Sequence, residues 1–202
     1  MSDKCELKRE GILAAGNWIV DHIKVIDTYP DQDALSFIYE HSKSNGGGPY
    51  NLLKDLVNLG AGFPLKAAGL VGDDNDGQWI INDCLDHGID TSGFIQTKNA
   101  STSYTDAMTV KSTGRRTFFH HEGSNALLSE KDVGLSKINA KYFYLGYINR
   151  DNFKKIQDLH RKPDLIHILK TGFDLESDIT KIESEANKLQ QVTNSLLTFS
   201  HE

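Results

Sequence analysis

The sequence has few of the features that mark several large classes of protein. Its two cysteines, Cys5 and Cys84, lie far apart and form no Cys-x-x-Cys pair, which argues against a disulfide scaffold and a zinc knuckle. The formal net charge is -6, and no basic stripe of the kind used to bind nucleic acid is present. We therefore expect no nucleic-acid partner, and we expect a reducing compartment.

Long apolar runs are also absent. No stretch approaches membrane-spanning length, and residues 1–10 are charged, unlike the apolar segment of a signal peptide. Hydrophobic residues nevertheless make up 38% of the 202 residues, which is enough for a sizeable core. The composition predicts a globular protein of the cytoplasm with no membrane partner.

The most distinctive stretch is a run of three glycines, Gly46 to Gly48, followed by Pro49. Such a run cannot lie inside a helix or a packed strand. Apolar residues then recur at helical spacing from Leu52 to Leu59, and Gly60 provides a stop, so the glycines open a helix. Because a helix N-terminus presents amide groups and glycines permit close approach, we predict a ligand loop. The spacing fits neither the Walker A motif nor the dinucleotide motif.

Strand and helix patterns alternate along the chain. A helix is predicted over 78–87, with an aspartate cap before it and Gly88 as its stop. The β-rich segment 101–119 has a turn near its middle and predicts a hairpin, and residues 123–125 are predicted to form a loop. Buried strands are predicted at 11–16, 64–71 and 142–146. This alternation predicts an α/β fold.

Asp21 lies between the apolar run 18–20 and a strand predicted over 22–27. A carboxylate among apolar neighbours costs free energy unless it binds something. A turn-forming aspartate would fit the same spacing, and the sequence leaves both interpretations open. The polar and aromatic residues 28–44 predict a hairpin or flap that leads into the glycines.

Two acidic or histidine-rich stretches do not predict a metal site. The aspartates of 73–76 lack the ligand spacing of a calcium-binding EF-hand loop, and they are better explained as helix caps. His120 and His121 are adjacent in a predicted strand, so their side chains point to opposite faces and cannot hold one ion.

The character of the chain changes past Tyr147. Sixteen of the seventeen glycines lie before that residue, and Gly172 alone follows it. Apolar residues from Leu175 to Leu196 keep the spacing of an amphipathic helix. We therefore divide the chain into residues 1–147, which carry the site, and a helical tail over 148–202 that docks on its own domain or on a partner.

Several of these motifs, in this order, resemble those of the ribokinase-like (PfkB) carbohydrate kinase family over about residues 11–147. The ordered motifs are Gly16 with Asp21, the segment 45–51, the segment 69–77, Gly88 to Asp90, the hairpin 102–119 and the segment 123–125. The resemblance implies a Rossmann-like three-layer α/β/α core with a small β-sheet lid. It also implies ATP and Mg as cofactors, a sugar or nucleoside as substrate, and a homodimer through the lid.

The resemblance also suggests which residues bind the ligand. Asp21, Gly46, Gly47 and Asn51 correspond to sugar-contacting positions of the family, and Asn125 to a position near the active site. Ile19 stands where ribose-binding relatives often have asparagine, so the sugar is left open.

The family's second signature, Asp-Thr-x-Gly-Ala-Gly-Asp, does not occur in this sequence, and residues 170–174 match it poorly. That segment supplies the anion hole for the phosphate and the catalytic base, so we assign no catalytic residue. The C-terminal half is expected to be truncated or replaced by the helical tail. Two functions follow: an ATP-dependent carbohydrate kinase by descent, or a non-catalytic sugar-binding or regulatory remnant whose tail docks on a partner.

Overall fold

The computed structural model describes residues 9–134, 139–146, 148 and 166–170. The first half of the described chain contains the strands β1 (Ile12–Gly16), β2 (Ile19–Ile26) and β3 (Ile38–Gly46), the helix α1 (Gly48–Asn58), the strand β4 (Leu65–Gly72) and the helix α2 (Asn75–Asp86). The second half contains the strands β5 (Asp90–Thr97), β6 (Tyr104–Val110) and β7 (Arg116–His121), a 3-10 helix (Gly123–Leu127), the short helix α3 (Glu130–Val133), and the strands β8 (Tyr142–Gly146) and β9 (Ile166–Lys170).

Five of the strands form a parallel sheet in the order β5-β4-β1-β8-β9. Alternate residues of the central strands enter two separate apolar clusters, as expected of a sheet covered on both faces. On one face Ala14 and Ala67 pack with Leu53 of α1 and Ile80 of α2. The other face carries the 3-10 segment and α3. The predicted three-layer α/β/α core is confirmed.

The other four strands form a smaller sheet in the order β3-β2-β6-β7, which we call the lid sheet. Strand β2 begins three residues after β1 ends, and it pairs antiparallel with β3 and parallel with β6. Strand β7 returns antiparallel to β6, which confirms the predicted hairpin. The short β1–β2 connection places one edge of the lid sheet beside the carboxyl end of β1.

Helix α2 begins at an aspartate cap, as predicted. The Asp74 carboxylate accepts a hydrogen bond from the Gly77 amide at 2.8 Å and others from the Thr102 amide and hydroxyl at 2.7 and 2.6 Å. The helix therefore starts at Asn75, three residues earlier than its apolar pattern indicates. The same carboxylate ties the helix to the segment that enters β6.

The structure corrects two secondary-structure predictions made from the sequence. Residues 123–127 form a 3-10 helix and not a loop, with hydrogen bonds from the Asn125 and Leu128 amides to carbonyls three residues earlier. The Ser124 amide and hydroxyl attach this helix to the carbonyls of Ser101 and Leu70. Residues 166–170, assigned to a helical tail, form β9 at the edge of the parallel sheet. The helix predicted over 175–196 and residues 171–174 lie outside the described residues.

Candidate ligand cleft

A cleft of about 540 Å³ opens where β1 ends and α1 begins, within the roughly 300–1,000 Å³ typical of small-molecule sites. Its position agrees with the general rule that α/β sheets bind ligands at the carboxyl ends of their strands. It brings together Asp21, Gly47 and Asn51, as the sequence predicts. The lining residues are Asn17, Ile19, Asp21, Gly47, Gly48, Asn51, Leu52 and Tyr144.

Helix α1 is anchored to the end of β1 by a side chain that lies far from it in sequence. Gly47 occupies the N-cap position and has no side chain to satisfy the first amide groups. The Asn17 side-chain oxygen supplies that acceptor, at 3.3 Å from the Gly48 nitrogen. Pro49 lacks an amide hydrogen and so needs no acceptor. The α1 N-terminus is thereby fixed to β1.

The reason for glycine at position 47 differs from the one that the sequence suggested. Its φ of 99° is a conformation that residues with a side chain rarely adopt. A Cβ there would collide with the backbone carbonyl oxygen of Asn17. Gly47 therefore allows close approach of the protein's own backbone, and the expectation that it also leaves room for a ligand stays a prediction.

Asp21 is the partly buried carboxylate of the cleft. It lies inside β2, so the turn-forming interpretation of this residue is wrong. Burial raises the pKa of Asp21, and a hydrogen bond from Thr105 together with the nearby His120 and His22 opposes that rise. Perturbed carboxyl groups in clefts are frequent at functional sites.

Gly46 is not among the lining residues, but it shapes the position of Asp21. A Cβ at position 46 would collide with a carboxylate oxygen of Asp21 and crowd the Ile19 side chain. The absence of a side chain at Gly46 therefore leaves the space that the Asp21 carboxylate occupies.

Asn125 also lies outside the cleft lining. Its side-chain oxygen accepts a hydrogen bond from the Trp18 amide at 3.2 Å, and its side-chain nitrogen donates to the Trp18 carbonyl at 3.0 Å. The backbone amide of Asn125 donates to the Ser103 hydroxyl at 3.0 Å. The structure thus places Asn125 as a support of the β1–β2 connection, and a role in ligand contact stays a prediction.

Asn17 and Tyr144 are among the lining residues that were not foreseen from the sequence. Asn17 had a usable signal, since it is a polar residue directly after a buried strand, where ligand-binding side chains of α/β proteins collect. Tyr144 had none, because it lies within the apolar run of β8 and reaches the cleft only through the pairing of β8 with β1, where it lies opposite Ala14.

The cleft has the wrong chemistry for a phosphate. The Gly48 amide is already bonded to Asn17, Pro49 has no amide hydrogen, and the Asp21 carboxylate would repel an anion. Within the described ranges, no group of three His, Cys, Asp or Glu side chains is placed to hold a metal ion. The residues that line this cleft therefore do not fit a nucleotide phosphate, and the ATP and Mg that the resemblance implies stay predictions for the chain. A carboxylate and two asparagine amides do suit a ligand rich in hydroxyl groups.

The parallel sheet and the flanking helices define the chain as an α/β protein of the Rossmann-like class, and the cleft beside the lid sheet is its candidate ligand site. The chain belongs to the pfkB family of carbohydrate kinases, whose model matches residues 15–192. The resemblance seen in the sequence is confirmed. No curated protein matches the chain in sequence.

Solved structures of ribokinases share the fold. Ribokinase from Giardia lamblia has a TM-score of 0.70 at 20% identity, covering 85% of this chain and 58% of its own. Ribokinase from Arabidopsis thaliana, complexed with ribose and ATP, has a TM-score of 0.65 at 18% identity, covering 82% and 55%. Ribokinase from Thermotoga maritima has a TM-score of 0.66 at 18% identity, covering 78% and 51%. The chain thus spans between half and three fifths of each of these proteins. In the described part of the chain, every helix is too short or too polar to cross a membrane.

Proposed function

We propose that the cleft binds a neutral sugar or nucleoside and that the Asp21 carboxylate accepts hydrogen bonds from hydroxyl groups of that ligand. The observation that carries this proposal is a partly buried carboxylate beside the N-terminus of α1, in a cleft that also contains Asn17 and Asn51. An ionised carboxylate is acceptor-only, and sugar hydroxyls are donors. Hydrogen bonds to a charged acceptor are stronger than those between neutral groups.

We extend this proposal to an ATP-dependent carbohydrate kinase by descent, of which this chain supplies the sugar-binding part. The support is membership of the pfkB family and the likeness to a ribokinase that was solved with ribose and ATP. No step of phosphoryl transfer is assigned to residues of this chain. The chain has no Gly-Ala-Gly-Asp segment to provide the anion hole and the base.

We propose as the alternative a non-catalytic sugar-binding or regulatory protein whose C-terminal residues dock on a partner. Phosphorylation assays separate the two. Under the second function, ATP-dependent phosphorylation of sugars and nucleosides stays at background while binding persists. Turnover well above background, lost on Asp21→Asn, would support the kinase.

The test of ligand class is a calorimetric titration with pentoses, hexoses, nucleosides and inorganic phosphate. We expect at least one neutral sugar or nucleoside to bind with one site per chain and inorganic phosphate to give no heat of binding. Because the Asp21 carboxylate repels anions, a chain that binds phosphate and none of the neutral ligands would contradict the proposal.

We also propose that the lid sheet mediates a homodimer. The side chains of Phe118 and Phe119 on β7 are 60% and 50% exposed, which is unusual for large apolar residues. We expect Phe118→Asp to shift the protein from dimer to monomer in sedimentation equilibrium. Lys111→Asp, in the β6–β7 turn, is the control for the change in charge. A protein that is monomeric before any substitution would contradict the proposal.

A further inference from the structure

A row of polar side chains crosses the lid sheet at the level of Asp21. The sheet register places Ser44 of β3 on one side of Asp21 and Thr105 of β6 on the other, with His120 of β7 opposite Thr105. Residues paired across neighbouring strands share one face of a sheet. These four side chains therefore lie on the same face, with Asp21 reaching the cleft.

The hydrogen bonds in this row run in one direction. Thr105 hydrogen-bonds to the Asp21 carboxylate, and its hydroxyl oxygen lies 2.9 Å from Nδ1 of His120. A hydroxyl has one hydrogen and an ionised carboxylate can only accept, so the Thr105 hydrogen goes to Asp21. The Thr105 oxygen must then accept from Nδ1–H of His120.

We propose that Thr105 and His120 are positioning residues for Asp21 and hold its carboxylate in the orientation that receives the ligand. Thr105 is buried, so its bonded hydroxyl cannot readily exchange partners with solvent. His120 lies on the exposed strand β7, and its hydrogen bond connects to Asp21 through Thr105. An acceptor fixed before the ligand arrives binds more tightly than one that must be ordered on binding. This inference rests on the proposed function of Asp21.

Few charged groups surround Asp21, so a change in the pKa of its carboxyl can be used to detect loss of the Thr105 hydrogen bond. The titratable groups that act on it are His120 on β7 and His22 on β2. Its partner on β3 is the uncharged Ser44, and the first turn of α1 contains no acidic residue. The Thr105 hydrogen bond lowers the pKa of Asp21 against the effect of burial, so loss of that bond must raise the pKa further.

The first test measures the pKa of the Asp21 carboxyl by carbon NMR in the absence of any ligand. Thr105→Val removes the hydroxyl and keeps the side-chain shape, and we expect it to raise the pKa of Asp21. Thr105→Ser keeps a hydroxyl and should restore the wild-type titration. An unchanged pKa in the valine variant would overturn the proposal. Should the valine variant not fold, Thr105→Ala removes the same hydroxyl and is also expected to raise the pKa.

The second test measures affinity for a neutral sugar or nucleoside identified by calorimetry. We expect Thr105→Val to weaken binding about tenfold, the equivalent of one hydrogen bond, and Thr105→Ser to bind as the wild type does. His120→Phe should weaken binding in the wild-type background and have a smaller effect in the Thr105→Val background, because its hydrogen bond acts through Thr105. His121→Phe is the matched control, since His121 points to the opposite face and bonds to Ser101.

The two tests separate this inference from the proposed function. If Thr105→Val raises the pKa of Asp21 but leaves the affinity for the ligand unchanged, the positioning role is wrong. If no sugar or nucleoside binds to the wild-type protein, the proposed function fails, while a raised pKa in Thr105→Val still supports the hydrogen-bonded row.

Discussion

Asp21→Asn is expected to weaken binding of the sugar or nucleoside by about 100-fold or more. A hydrogen bond to a charged group contributes roughly 1.5–3 kcal/mol, and a sugar presents at least two hydroxyls to one carboxylate. Asparagine keeps the size of the side chain and one acceptor oxygen but loses the charge. Calorimetric titration of the wild-type and variant proteins measures the change, and equal affinities would remove Asp21 from the site.

The same substitution is expected to raise the midpoint of thermal unfolding at pH 7. Burial raises the pKa of Asp21 in the folded protein, so the folded state binds a proton more tightly than the unfolded chain. Above both pKa values the ionised carboxylate therefore destabilises the fold, and the neutral asparagine avoids this cost. The advantage of the variant should shrink as the pH falls through the folded pKa.

Asp27→Asn provides the control of opposite sign. Hydrogen bonds from Ser36 and from the backbone amides of Thr28 and Phe37 lower the pKa of the exposed Asp27, which lies at the end of β2. Its carboxylate stabilises the fold above the unfolded pKa, and that contribution is lost as the pH falls through the folded pKa. Asp27→Asn should therefore lower stability at pH 7 and leave ligand affinity unchanged. Stability changes of the same sign in both variants would contradict the account of Asp21.

Gly47→Ala is expected to destabilise the protein by about 2–4 kcal/mol, the sum of backbone strain and a collision in a packed region. The added Cβ would strike the Asn17 carbonyl oxygen and would hold a side chain at a φ of 99°. Because Asn17 anchors α1 to β1, the cleft should lose its shape as the loop shifts. Urea unfolding followed by circular dichroism measures the loss.

Two other glycines separate the cost of the backbone conformation from the cost of the collision with Asn17. Gly60 has a φ of 72°, and a Cβ there would meet no atom within 4 Å, so Gly60→Ala reports the backbone conformation alone, at about 1–2 kcal/mol. Gly62 has neither constraint, and Gly62→Ala should change stability by less than about 0.5 kcal/mol. If Gly47→Ala costs no more than Gly60→Ala, the close approach to Asn17 is not what requires glycine.

The elements of the fold could be predicted from the sequence because their signals are local. The apolar run that forms β4, the spacing of α1 and the turn between β6 and β7 each lie within a few residues. Strand β9 was missed because the helical pattern that follows it was taken to represent the whole of 148–202, and because its place depends on pairing with β8.

The site could be predicted only as a set of residues. Asp21, Gly47 and Asn51 follow strand ends or open a helix, and such positions collect at one edge of the sheet. What those residues do depends on partners distant in sequence. Gly47 approaches Asn17, thirty positions earlier, and Asn125 bonds to Trp18 across 107 positions. The bonding of Thr105 to Asp21 and His120 follows from sheet register, which no local pattern gives.

The central claim is that a neutral sugar or nucleoside binds in the cleft between the end of β1 and the start of α1. Backbone amide chemical shifts, recorded by NMR with and without a saturating sugar or nucleoside, test this claim most directly. We predict the largest shifts at Asp21, Gly47, Gly48 and Asn51, and small shifts along α2. Shifts confined to α2 or to the outer edge of the lid sheet would show that the ligand binds elsewhere and would contradict the account.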